Sequence, residues 1–301
     1  MTPERILAEP PRVLPQQARI DYFDKGFTVV EDAVPVAWID RLLAATERLV
    51  DASRMERDPG HVFDLAPEHS PDRPRVRRIK RPDEQDEAYW TFARDVLADM
   101  AADLLGPDVV FHHSKLNFKW FEGGDEVRWH QDIQFYPHTN YDHLTIGAYL
   151  SDTGPENGPM SMLPGSHRGP LYDLYGPDGN WTGHLRNEDA AGLATDGAET
   201  LTCRRGAVSI HNCRTLHYSC PSRTDAGRPL LLNAFAAADA RPYTPHPDPS
   251  RHTGEVVRGE PARIARHDPR SCPLPPDWSG GYSSIFAAQS GEDTRMQGAR
   301  M

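Results

Sequence analysis

No apolar run in the sequence approaches the roughly 18 residues that a membrane-spanning helix needs. The first 17 residues, MTPERILAEPPRVLPQQ, also lack the apolar stretch of a secretion signal. Basic clustering is equally scarce. No basic run is longer than Arg77-Arg78, and the net charge is −11. Nucleic acid and anionic membranes both require a positive patch, so neither is expected as a partner. Cysteine is sparse too: four residues form no CxxC pair and no zinc-finger spacing. Three of them, Cys203, Cys213 and Cys220, lie around His217. A soft metal site is one reading of them; small buried hydrophobes are the commoner one. These absences lead to the expectation of a reduced, cytoplasmic protein.

What is present suits one large domain with appendages. A chain of 301 residues buries about three-quarters of the surface its unfolded form would expose. It needs neither metal nor disulfide merely to fold, so a metal site would serve chemistry. Residues 1–20, rich in proline, read as a loose arm. Residues 21–240 read as a single domain, helical to about 108 and then built of strands. Residues 241–301 read as a C-terminal extension, packed on the core or partly disordered.

Pro35 opens a helix whose apolar residues Val36, Ile39, Leu42, Leu43, Leu49 and Val50 keep a spacing of three to four. A polar stretch from Asp51 to Asp83 interrupts that pattern. A second helix is expected from about Asp86 to Leu105, ended by Gly106-Pro107. From Val109 the period changes to two: Leu116, Phe118 and Trp120 alternate with His113, Lys115, Asn117 and Lys119. Short strands follow over Val127–Asp132, His143–Ser151, Met160–Leu163, Ala207–His211 and Pro229–Phe235. Tyr282–Ala287 reads as a further strand or docking segment. The class is α+β with a β-sandwich or jelly-roll core.

Within the strands, Trp129-His130-Gln131-Asp132 carries the chemical signal. Residues i and i+2 of a strand share a face, so the His130 imidazole and the Asp132 carboxylate emerge side by side. Two histidines and one carboxylate on one face of a metal leave positions open, as non-haem iron(II) chemistry requires. A lone HxD pair also arises by chance as a surface or turn pair, and this chain has 14 histidines. Further along, His217 is followed by Ser219 and, eleven residues on, by Arg228. The planar fork of arginine matches a carboxylate, so an arginine near a metal can hold a dicarboxylate. His211 lies six residues before His217, and position alone leaves either as the second histidine.

The segments SKLNFK, WHQD followed by ENGPMSMLPGSHRG, and HYSCPSRTDAGR resemble the phytanoyl-CoA dioxygenase family. The similarity covers about Asp21 to Ala240. The resemblance implies a double-stranded β-helix (jelly-roll, cupin-like) core with flanking N-terminal helices. It also implies iron(II) as metal, with 2-oxoglutarate and O2 as cosubstrates converted to succinate and CO2. By it, His130, Asp132 and His217 match the metal ligands; His217 rather than His211 has serine and arginine at the family offsets. Arg228 and Ser219 match the residues on the far carboxylate of 2-oxoglutarate, and Asn117 the asparagine reaching it near the metal. Tyr149 sits where the family often has an aromatic residue beside 2-oxoglutarate, and Thr145 shares its strand face. Related halogenases carry Ala or Gly at the carboxylate position, so Asp132 points to hydroxylation of a small-molecule C–H bond. Desaturation, cyclisation and epimerisation remain open to the same chemistry.

The segment after the HxD, with Gln134, Phe135, Tyr136 and His138, is expected to wall the substrate site, with His113 on the neighbouring strand face. His167 reads as structural or as a support behind the pocket residues. From the residues alone, a zinc hydrolase remains an alternative, since His/Asp/His also suits zinc. A catalytically silent ligand sensor is another.

Overall fold

The computed structural model describes residues 1–58, 60–121, 126–282 and 284–291. Its first six strands are β1 (Phe27–Val30), β2 (Phe63–Leu65), β3 (Val76–Lys80), β4 (Val109–Asn117), β5 (Val127–His130) and β6 (His143–Tyr149). The others are β7 (Met160–Met162), β8 (Glu199–Thr200), β9 (Val208–Asn212), β10 (His217–Ser219), β11 (Leu230–Ala237) and β12 (Val256–Arg258). They form two antiparallel sheets. The larger runs β1-β9-β6-β11-β4-β3-β2, with β12 sharing an edge of β4; the smaller runs β5-β10-β7-β8.

Alternation along β6 explains how the layers are stacked. Leu144, Ile146 and Ala148 enter the main core, together with Val208 and Ile210 of β9 and Leu231 and Phe235 of β11. Helix Val36–Ala52 closes that face through Ile39, Leu42 and Ala45, which recur at helical spacing. A second helical run, Glu87–Phe92 and Ala98–Leu105 joined through a π-turn at Ala93–Leu97, covers the rest. Asp86 caps its start, its side chain accepting from the Ala88 amide at 2.9 Å. The other face of β6 presents His143, Thr145 and Tyr149. Tyr149 packs with Met160 and Met162 of the smaller sheet. The polar residues therefore lie between the sheets. This is the expected α+β jelly roll.

Three local expectations change. Residues 1–20 are not a loose arm. Helix Pro3–Ala8 and the start of helix Gln16–Lys25 lie within them, and Ile6, Leu14 and Arg19 are buried. The Asp103 carboxylate accepts the backbone amides of Arg12, Val13 and Leu14 at 2.7–2.9 Å and so ties the segment to the second helical run. The polar stretch before Asp83 hides β2 and β3, whose Asp64, Arg77, Arg78 and Lys80 are buried. Tyr282–Ala287, read as a strand or docking segment, leads into a docked helix, Ile285–Ser290, where a strand was one expectation. That helix docks on β5, where Gln289 Oε1 accepts the Arg128 amide at 2.7 Å. Residues 292–301 of the C-terminal extension lie outside the described residues.

Candidate active site

Strand β5 ends at His130, and Asp132 begins a 3-10 turn, Asp132–Phe135. The pair thus straddles a strand end instead of lying within one strand, with Gln131 still extended. Across the smaller sheet, His217 of β10 is in register with His130. Their rings stand 4.0 Å apart, and His130 Nε2 and His217 Nε2 lie 3.7 and 3.8 Å from Asp132 Oδ1. One atom from each of His130, Asp132 and His217 falls within 4.8 Å of the others, a spacing that could hold a metal ion.

The orientation of each group suits that task. His130 donates through Nδ1 to the Arg128 carbonyl at 2.8 Å, and His217 through Nδ1 to the Thr215 carbonyl at 2.9 Å. Both rings therefore turn an Nε2 lone pair toward Asp132, the tautomer a metal requires. Burial holds them neutral, His130 pulled down to about 4 and His217 well below the ordinary histidine value. Burial alone would raise Asp132. The Lys115 ammonium and the hydrogen bond from His211 outweigh it, so the carboxyl sits well below the ordinary range.

His211 takes a different place from the one position alone allowed. Its Nε2 lies 3.3 Å from Asp132 Oδ2, the oxygen that also accepts Thr145 Oγ1 at 3.2 Å. Together they fix the carboxylate and leave Oδ1 to the two other histidines. Thr145, expected beside the cosubstrate, is thus placed on Asp132.

Along the same face of β6, four residues beyond Thr145, Tyr149 marks a second polar zone. Arg228 lies there, just ahead of β11, whose Leu230 is in register with both Tyr149 and Asn117. Arg228 is 2% exposed, and its Nε and Nη1 meet no hydrogen-bond acceptor among the described residues. A buried guanidinium without a partner is costly, and a carboxylate would satisfy it. Gly227, with φ +65, permits this turn because any Cβ would collide with the Trp120 ring. Ser219 is buried on β10. Asn117 Oδ1 accepts from Arg78 Nε at 2.8 Å, a partner that its sequence gave no means of finding. Lys119 donates to the carbonyls of Ser219 and Cys220 at 3.0 and 2.6 Å and so supports the end of β10.

A small cavity opens over Asp132. Of the expected wall, His113, Phe135 and Tyr136 line it. Gln134 and His138 do not. Gln134 is wholly buried and donates to Gln131 Oε1, and His138 joins a group of other histidines. Arg78, Lys115, Tyr282 and Ile285 complete much of the lining. The last two belong to the C-terminal extension, within the segment read from the sequence as a strand or docking segment. His167 packs against Gly26, consistent with a structural role.

Comparison with known proteins accords with this geometry. Residues 22–230 match the phytanoyl-CoA dioxygenase (PhyH) family. A probable alpha-ketoglutarate-dependent hypophosphite dioxygenase of Stutzerimonas stutzeri is 34% identical over 226 residues, covering 74% of this chain and 78% of that protein. An ectoine dioxygenase of Sphingopyxis alaskensis is 29% identical over 266 residues, covering 80% and 83%. The crystal structure of EctD from S. alaskensis with 2-oxoglutarate and 5-hydroxyectoine superposes with a TM-score of 0.62 at 26% identity, covering 86% and 89%. Fold and family define a jelly-roll oxidoreductase, an iron(II)- and 2-oxoglutarate-dependent dioxygenase. The chain belongs to the phytanoyl-CoA dioxygenase family. That class replaces the zinc hydrolase and the silent sensor that the residues alone left open.

Proposed function

We propose that His130, Asp132 and His217 hold the iron(II), and that Arg228 with Ser219 grips the far carboxylate of 2-oxoglutarate. The buried, unpartnered Arg228 beside Tyr149 carries this reading, because a desolvated guanidinium is a made-to-measure partner for a diacid. Asn117 and Tyr149 flank the cosubstrate, and Thr145 and His211 steady Asp132. The bound metal and cosubstrates supply oxidative decarboxylation of 2-oxoglutarate by O2, coupled to hydroxylation of an unactivated C–H bond.

The chain's own part is to position and to exclude water. His113, Phe135, Tyr136 and Tyr282 wall the cavity over Asp132 and aim one bond of the substrate at the metal face. The relatives' names include ectoine and hypophosphite as substrates, both small and polar. A cavity lined by Arg78, Lys115 and Asp248 as well as aromatic rings suits a small polar metabolite here. Four unpaired cysteines agree with a reduced, cytoplasmic setting. No helix among the described residues is long and apolar enough to cross a membrane.

The test is succinate release from 2-oxoglutarate by the iron(II)-loaded protein, with a panel of small polar metabolites, against His130→Ala and Asp132→Ala. Turnover is expected in the wild type and lost in both variants. Turnover unaffected by either substitution would remove those two residues from the metal.

A further inference from the structure

Beside the cavity, and sharing no residue with the group at His130, Asp132 and His217, five histidines are packed together. His112 and His113 come from β4, His143 from the start of β6, His138 from the turn after Asp132, and His246 from the C-terminal extension. The His112 ring lies 4.9 Å from His138, 4.8 Å from His143 and 4.8 Å from His246. All five imidazoles are buried or nearly so. A β-bulge gathers two of them. Ala234 of β11 pairs with His113 and Phe235 with Phe111, so His112 is the extra residue and is re-aimed toward its neighbour.

Their hydrogen bonds select three of the five. His138 donates through Nδ1 to the Tyr136 carbonyl two residues back at 2.6 Å. This is the contact His130 and His217 make with residues 128 and 215, and it likewise frees an Nε2 lone pair. His143 is wholly buried, and neither ring nitrogen has a hydrogen-bond partner among the described residues. His112 Nδ1 lies 2.7 Å from His113 Nδ1. When His112 donates in that pair, its own Nε2 is free. His246 is different, because its Nδ1 accepts the Asp248 amide at 3.0 Å and its proton therefore sits on Nε2. His112, His138 and His143 offer one nitrogen each, all within 4.8 Å of one another.

We propose that His112, His138 and His143 form a second metal site, for a divalent ion such as zinc, separate from the one at Asp132. Three neutral imidazoles without a carboxylate are a sufficient zinc ligand set, with the fourth position left to solvent or substrate. The ion would sit behind the cavity wall made by His113 and Tyr136. The site shares no residue with the iron centre, and the proposal stands whether or not that assignment holds.

Metal-free full-length protein is loaded with zinc alone, freed of excess by gel filtration and assayed by mass spectrometry for bound metal. About two equivalents are expected in the wild type. About one should remain in the His130→Ala/His217→Ala protein, with an X-ray absorption signature of three imidazole nitrogens. About one should also remain in His138→Ala and in His143→Ala, each checked by circular dichroism for a native fold. A single wild-type equivalent that vanishes with His130 and His217 overturns the site. So does retention of both equivalents in folded His138→Ala and His143→Ala. Should the latter two not fold, the wild-type stoichiometry and the double variant decide alone.

Discussion

His211 Nε2 lies 3.3 Å from Asp132 Oδ2, while His130 and His217 converge on the opposite oxygen, Oδ1. One carboxylate is thus divided between two tasks. One oxygen faces the proposed metal, and the other is held by a histidine and by Thr145 Oγ1. Three histidines surround one aspartate, and geometry separates the two proposed ligands from the one that orients.

The two kinds of histidine should therefore respond differently to removal. His217→Ala is expected to abolish iron binding and turnover together. His211→Ala should keep stoichiometric iron but weaken it by roughly 10- to 100-fold, the usual cost of losing an orienting partner. Iron titration followed by a competing chelator distinguishes the two. Loss of iron in His211→Ala with retention in His217→Ala would exchange their roles.

Arg228 offers a prediction of opposite character. Because no described residue accepts from its Nε or Nη1, its partner is expected to be the cosubstrate. Hydrogen bonds to a charged group contribute about 1.5–3 kcal/mol, so Arg228→Ala should raise the KM for 2-oxoglutarate roughly 10- to 100-fold, with a smaller change in kcat. Arg228→Lys restores charge but not the fork, and should recover only part of the loss. Thermal denaturation without cosubstrate should show no destabilisation of the size seen when a buried ion pair is broken, about 3–5 kcal/mol. An unchanged KM in Arg228→Ala would place the diacid elsewhere.

Acid should unfold the metal-free protein in a defined window. Burial lowers His130 and His138 to about 4 and His246 to about 3, against about 6.5 in an unfolded chain. Above that unfolded value both states are neutral, and stability is complete. As pH falls below it, the unfolded chain takes up protons that the folded chain refuses, so stability falls until the folded values are reached. Each such proton contributes a slope of about 1.4 kcal/mol per pH unit, and three together about 4. Asp132, held low, acts in the same direction at still lower pH. Urea denaturation of metal-free protein should show this steep loss between about pH 6 and 4. A flat profile there would mean that these rings reach water.

Much of the site was legible because its signals are local. His130 and Asp132 are two residues apart, and Ser219 and Arg228 follow His217 closely. The pairing of His217 with His130 depends on β5 and β10 lying side by side, which spacing cannot show; the family resemblance supplied it. The imidazole group was illegible for the same reason, since its members are spread from His112 to His246 and meet only through a bulge and a strand order. The N-terminal segment looked loose because its anchor, Asp103, lies about ninety residues away. Strands β2 and β3 were obscured by charged side chains that are buried through pairing, as Arg77 is with Asp64. The two-residue period of a strand, in contrast, sufficed to put Thr145 and Tyr149 on one face of β6.

Asp64 couples that hidden sheet edge to the cavity. It is fully buried, accepts from Arg77 Nη2 at 3.0 Å, and also bonds the Ser284 hydroxyl at the start of the last helix. Tyr282 and Ile285, on either side of that serine, line the cavity over Asp132. Asp64→Ala removes the carboxylate that both Arg77 and Ser284 bond, a loss expected to cost about 1–3 kcal/mol. Two effects should appear together: a lower Tm and faster proteolytic cleavage around residues 282–291. With the wall loosened, water should enter the cavity, and succinate formed without hydroxylated product should rise. Asp64→Asn keeps one acceptor oxygen for Arg77 and turns an amide donor toward the Ser284 hydroxyl, which can accept from it, so each effect should be weaker. A fall in Tm with unaltered cleavage and unaltered coupling would confine Asp64 to the sheet and separate the last helix from closure of the cavity.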